Sequence, residues 1–184
     1  MAPIEEIEGA LSSGVLFLCD HASPAVPPAY GTLGLEPAQF TRHIAYDIGA
    51  AALTRALAAE FAAPAVLTRF SRLLIDPNRG ADDPTLVMRL SDGAIVPGNA
   101  EIGAQEIETR RLLYWQPYRD AVRARLDAML AVGPVPAIVS LHSFTPAWKG
   151  VARPWEAAVL WDSDARMAAP VIAALRARGI VTGD

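Results

Sequence analysis

Two of the three histidines in this chain stand just past short apolar runs. His21 follows "VLFLC" and Asp20, and His142 follows "AIVSL". For either histidine alone, the plain reading is an imidazole satisfied by nearby backbone. The pair points elsewhere. Neutral imidazole is a common zinc ligand, and a catalytic zinc takes three protein ligands plus a water. Two imidazoles at the tips of two strands therefore predict a shared ligand, a metal, with an oxygen as the third donor. Asp20, Asp47 and Asp76 are the candidates. His43 and Asp47 are four residues apart in a predicted helix and would share a face, as site residues or as a surface hydrogen-bonded pair. No HExxH pattern supports the metal by spacing.

"SRLLIDPNRG" carries a second kind of chemistry. Arg72, Asn78 and Arg79 flank an apolar stretch and its exit loop. The planar fork of arginine suits bidentate binding of a carboxylate, so these residues predict an anchor for an anionic substrate. The alternative is ion pairing with Asp76, Asp82 or Asp83. Ser23 and Ser143 follow the two histidines and are read as their hydrogen-bond partners. Cys19 reads as a buried thiol, and the tryptophans at 115, 148, 155 and 161 as packing. Nucleotide-binding glycine patterns are absent, as is the glycine-flanked elbow of a serine hydrolase.

The elements that must position these residues alternate between strand and helix. Residues 15–19 read as a buried strand, short and continuously apolar, and 136–141 as a second buried strand. A long helix is predicted over 36–61 and another over about 104–131. Strand material is predicted in "AVLTRF", "RLLID" and "AAVLW". Residues 77–103 read as a long irregular segment. A last helix follows "DSD", capped by Asp162 or Ser163, with Pro170 predicting a kink or a late start. "IVTGD" begins a further strand or turn. This order predicts an α/β fold with a mostly parallel sheet. In such sheets ligands bind beyond the carboxyl ends of the strands, which puts His21 and His142 on one rim.

Composition narrows the class. At 184 residues the chain suits one domain, and a core burying roughly 70% of the unfolded surface is within reach. Hydrophobic residues at 52% and charged residues at 20% exclude a disordered chain. The net charge of −4 and the absence of a basic stripe argue against nucleic acid as a partner. A single cysteine rules out an internal disulfide framework. No apolar run approaches the ~20 residues of a membrane span, and the acidic start lacks a signal-peptide pattern. The expectation is a soluble, cytoplasmic protein with no membrane partner.

Several ordered motifs carry a resemblance. "CDHASPAVPPAYGTLGL", "RHIAYDIGAAAL", "SRLLIDPNRG" with "DDPTLVMRLSDG" and "IVPGN", and "LHSFTP" resemble the N-formylglutamate amidohydrolase family over residues 13–184, and more distantly zinc carboxypeptidases and aspartoacylases. The resemblance implies a three-layer α/β/α hydrolase fold with a mostly parallel or mixed central sheet. It implies hydrolysis of an N-acyl amino acid, typically N-formyl-L-glutamate to formate and glutamate in histidine degradation. It also implies Zn2+ held by two histidines and a carboxylate, with an Asn-Arg pair on the substrate carboxylate. His21 and His142 match the histidines, Asn78 and Arg79 match the pair, and Arg72 adds an anion contact. Carboxypeptidases carry a glutamate three residues after the first histidine, where this chain has Pro24. Asp47 is therefore taken as the carboxylate ligand. Family members continue past a point like "GIVTGD" to a late glutamate that serves as base. A single domain over 1–184, truncated at its C-terminus, is expected, with Glu156 as the remaining candidate base, little amidohydrolase activity if Glu156 does not serve, and an open sheet edge that predicts self-association or poor solubility. The competing expectations are a non-catalytic binder of N-acyl amino acids and an aspartoacylase-like deacylase.

Overall fold

The computed structural model describes residues 2–148 and 150–184, except for the side chain of Trp148. The chain divides into two compact units, one ending at Phe144 and one comprising Thr145–Asp184.

The first unit is built on a four-stranded sheet. Its strands are β1 (Ile4–Ile7), β2 (Val15–Cys19), β3 (Ala65–Thr68) and, later in the chain, β6 (Ala137–Ser140). The spatial order is β1-β3-β2-β6. β1 runs antiparallel to β3, while β3, β2 and β6 are mutually parallel. Alternation along β2 explains its continuous apolar sequence, because both faces are covered. Val15, Phe17 and Cys19 pack under helix α1 (Ala50–Glu60), with Ala50, Ala58, Ala65 and Leu67. Leu16 and Leu18 face the opposite way, onto Val66, Tyr118 and Met129 of the sheet and a long helix. Each large apolar side chain so buried contributes about 1.5–3 kcal/mol relative to exposure. The result is the α/β/α layering of the sequence reading, with the sheet mixed.

Several elements differ from expectation. The helix predicted over 36–61 begins only at Ala50. A 3-10 turn, Pro37–Thr41, opens the segment, and turns follow up to Gly49. Gly49 sits at the N-cap of α1 with φ of 84°, a left-handed conformation that other residues reach only at a cost. His43 and Asp47 therefore share no helix face. "RLLID" is a buried series of turns, not a strand: Leu73, Leu74 and Ile75 pack with Phe70, Leu33, Val96 and Trp115 in a third cluster. Within 77–103 there is a hairpin, β4 (Leu90–Ser91) with β5 (Ala94–Ile95), and a one-turn helix α2 (Pro97–Ala100). β6 alternates half-buried and exposed residues, with Ile138 exposed, because it ends the strand order and pairs only with β2 there.

The long helix runs as α3 (Ala104–Arg110), a π-turn (Arg111–Trp115) and α4 (Gln116–Val132). Pro117 explains the interruption. A proline inside a helix lacks its N–H and crowds the carbonyl four residues back. Here the wider turn closes through the Gln116 N–H donating to the Arg111 carbonyl.

In the second unit, β7 (Ala147–Trp148) pairs with β8 (Val151–Ala152), and β9 (Ala157–Ala158) lies parallel to β10 (Thr182–Gly183). Helix α5 (Ala165–Ala177) is capped by Asp164, whose side chain accepts the Arg166 N–H at 3.1 Å. The cap is thus neither Asp162 nor Ser163. α5 continues through Pro170. Of "AAVLW", only Ala157–Ala158 is strand.

Candidate metal centre

The parallel pairing of β2 with β6 sets the site. Leu18 is opposite Ser140, and the Leu141 N–H donates to the Leu18 carbonyl at 2.8 Å. The next residues of the two chains are Asp20-His21 and His142, so the strand tips meet as the sequence implied. Thr68, closing β3, fixes the turn from the other side: its hydroxyl donates to the Asp20 carbonyl at 2.9 Å and accepts the Ala22 N–H at 3.1 Å. Asp47 arrives from the irregular segment before α1. Its N–H donates to the His21 carbonyl at 2.9 Å.

One oxygen of Asp47 is the centre of the arrangement. Its Oδ2 lies 2.8 Å from Nδ1 of His142 and 3.4 Å from Nδ1 of His21, and it accepts the Ser143 N–H at 3.3 Å. His21, Asp47 and His142 offer three ligand atoms within 4.8 Å of one another, a set that could hold a metal ion. Behind each ring stands another carboxylate. Nε2 of His21 meets Asp76 at 2.7 Å, and Nε2 of His142 meets Asp20 at 3.0 Å. Metal-ligating histidines commonly use their second nitrogen in this way, which fixes ring orientation and raises basicity.

Charge accounts for the cluster's tolerance of burial. Asp20, Asp47 and Asp76 bring three negative charges, and Arg72 returns one positive charge through 3.3 Å and 3.1 Å contacts with Asp47 and Asp76. Two positive charges are still needed. Two imidazolium rings provide them, and so does one divalent cation that replaces the protons on both Nδ1 atoms. Electrostatics follow this geometry. Burial works to lower the His142 pKa, but hydrogen bonds to Asp20 and Asp47 outweigh it and hold the value up at about 9. His21 is raised by Asp47 and Asp76 against a similar burial effect. Burial would lift the pKa of Asp20, yet the hydrogen bonds from His142, Ser140 and Tyr118 bring it down to about 2. Burial would also lift the pKa of Asp47, but hydrogen bonds from His142 and His21, with the charge of Arg72, hold it well below the usual carboxylate range.

The anion-anchor residues separate into two roles. The guanidinium of Arg72 is engaged by Asp47 and Asp76; the pairing with Asp76 is the alternative foreseen, and that with Asp47 is not. Asn78 and Arg79 are exposed just beyond Asp76, with the Asn78 N–H donating to Asp76 at 3.0 Å. The Arg79 guanidinium makes long ion-pair contacts, 4.0 Å to Asp76 and 3.8 Å to Asp83. His43 stands apart, 3.4 Å from Asp92 on the β4–β5 hairpin. Glu156 belongs to the second unit, where its carboxylate accepts the Val181 N–H at 2.9 Å. Ser143 approaches the site through its backbone.

Sequence reasoning missed the polar supports. Asn99 is fully buried. Its amide donates to the carbonyls of Leu73 and Met88, each at 2.8 Å, and its oxygen accepts from Arg110 at 2.7 Å. Arg110 also donates to the Leu74 carbonyl at 3.1 Å. Together they brace the turns that carry Arg72 and Asp76. Trp115 similarly donates its indole N–H to the Arg79 carbonyl at 3.0 Å. Only the buried position of an asparagine after Pro97-Gly98 marks this brace, and burial is not readable from one chain.

No curated protein sequence matched the chain. Two solved structures align with all of it. A gene product of Agrobacterium tumefaciens is 32% identical with a TM-score of 0.93, and the chain covers 73% of it. The N-formylglutamate amidohydrolase of Ralstonia eutropha JMP134 shares the fold at a TM-score of 0.64 and 19% identity, with 76% of its length covered. No described helix is long and apolar enough to cross a membrane. The family model for N-formylglutamate amidohydrolase matches residues 13–184, and the chain therefore belongs to that family.

Proposed function

We propose that this chain is a metal-dependent hydrolase of N-acyl amino acids, with N-formyl-L-glutamate as substrate and formate and L-glutamate as products. The observation that carries the reading is the convergence of two Nδ1 atoms on one oxygen of Asp47, each ring backed by its own carboxylate. His21, Asp47 and His142 would hold the ion, and the nitrogen-oxygen donor set suits zinc. Zinc held there would supply Lewis acidity toward water and an acyl carbonyl. Asp76 and Asp20 keep the two rings oriented, and Arg72 holds Asp47 and Asp76 in place. The substrate carboxylate falls to Arg79, with Asn78 beside it, since the fork of Arg72 is already engaged. Binding the distant carboxylate orients the amide for attack. A carboxylate must take the proton of water and return it to the leaving nitrogen, a step worth typically 10²–10⁴-fold.

Formate release from N-formyl-L-glutamate tests the reading, run beside the N-acetyl analogue and a binding titration. Turnover of the formyl substrate at about 1–10³ per second is expected. Binding without turnover would make the chain a binder, and preference for the acetyl compound would make it a different deacylase.

A further inference from the structure

We propose that Tyr118 and Ser140 are positioning residues for the metal centre: Tyr118 through Asp20, and Ser140 through Asp20 and its own contact with Nε2, fix the His142 ring with Nδ1 toward Asp47 and so set how tightly the site holds its cation. The inference rests on the metal reading above.

Asp20 is buried, and both of its oxygens are occupied. Oδ1 accepts the Tyr118 hydroxyl at 2.6 Å, and Oδ2 accepts the Ser140 hydroxyl at 2.5 Å together with Nε2 of His142 at 3.0 Å; the Ser140 oxygen itself lies 3.1 Å from the same Nε2. A carboxylate held at both oxygens cannot swing, so it presents a fixed acceptor to the ring. This matters more for His142 than for His21. The His21 side chain is 1% exposed and enclosed on all sides, whereas that of His142 is 34% exposed. With fewer packing walls, the orientation of His142 depends on its polar contacts, and Asp20 is one of two carboxylates that supply them.

Tyr118 reaches Asp20 because of the π-turn. Arg110 and Tyr118 are eight residues apart. In a straight α-helix of 3.6 residues per turn they would sit about 80° apart around the axis; the extra residue of one π-turn reduces that to about 20°. Both are buried and both serve the site, Arg110 through Asn99 and the Leu74 carbonyl, Tyr118 through Asp20. One face of one helix thus braces the two halves of the centre.

Tyr118→Phe deletes one hydroxyl and keeps the ring. Ser140→Ala deletes the other donor and serves if Tyr118→Phe fails to fold. Zn2+ affinity is read by competition with a chromophoric chelator, and Co2+ loading by its visible spectrum. Each variant should bind Zn2+ about 10-fold more weakly, within the range seen for outer partners of metal ligands, and shift the Co2+ bands. Tyr114→Phe, whose ring packs edge-on against Tyr30 and Phe70, should match the wild type. Wild-type Zn2+ affinity and Co2+ spectra in both site variants, even with lowered melting temperatures, would overturn the inference. A wild-type protein that takes up neither ion would overturn the metal reading itself.

Discussion

The rings of His21 and His142 lie 5.1 Å apart at 63°, and Nδ1 of each points at the same Asp47 oxygen. Adjacent parallel strands bring the histidines together, but the acceptor between them comes from an irregular segment. Asp47→Ala should therefore abolish metal binding without unfolding the sheet. Metal content after gel filtration, with far-UV circular dichroism as the control, checks both halves of that statement.

The cluster's stability should depend on pH in the metal-free protein. The His142 pKa is raised from 6.5 to about 9 in the folded state. Its contribution is fully present below pH 6.5 and is lost as pH rises through 9. The Asp20 pKa is lowered from 3.8 to about 2, so its contribution is present above 3.8 and is lost as pH falls through 2. Melting temperature measured on chelator-treated protein should be highest between these limits. A melting temperature that keeps rising from pH 7 to 9 would contradict the charge pattern described for the two rings.

Asn99→Ala should cost about 2–4 kcal/mol, because it strands the carbonyls of Leu73 and Met88 and removes a partner of Arg110, and each buried polar group left without its bond costs about 1–3 kcal/mol. Urea denaturation gives the value. Since the same turns carry Arg72 and Asp76, the folded fraction should also bind metal more weakly.

The fold was legible because both signals behind it are local. The apolar run at 15–19 and the largely apolar "AIVSL" at 137–141 mark strands whatever their neighbours, although the second is half-exposed, and Asp-His at one tip and His at the other mark a rim. The carboxylate was not legible by the argument that pointed to it. Asp20, Asp47 and Asp76 are equal candidates by residue type, and the helix expected to carry Asp47 with His43 does not exist there; Gly49 ends that segment and α1 begins after it. "RLLID" misled because full burial in turns looks like a buried strand. Asn99, Arg110, Ser140 and Tyr118 could not be found at all, since their roles depend on partners 11 to 120 residues away in sequence.

Arg79→Lys keeps the charge but loses the fork that suits a carboxylate. KM for N-formyl-L-glutamate should rise about 10-fold with kcat little changed, as expected when binding common to ground and transition states is removed. Steady-state kinetics decide it, and an unchanged KM removes Arg79 from the substrate site.

On the metal reading, hydrolysis depends on a cation held by His21, Asp47 and His142. The most direct measurement is formate release by chelator-treated protein titrated with Zn2+. No turnover without metal, recovery that saturates at about one equivalent per chain, and no recovery in Asp47→Ala are expected. Full turnover in the metal-free protein, or equal recovery in Asp47→Ala, would contradict that reading.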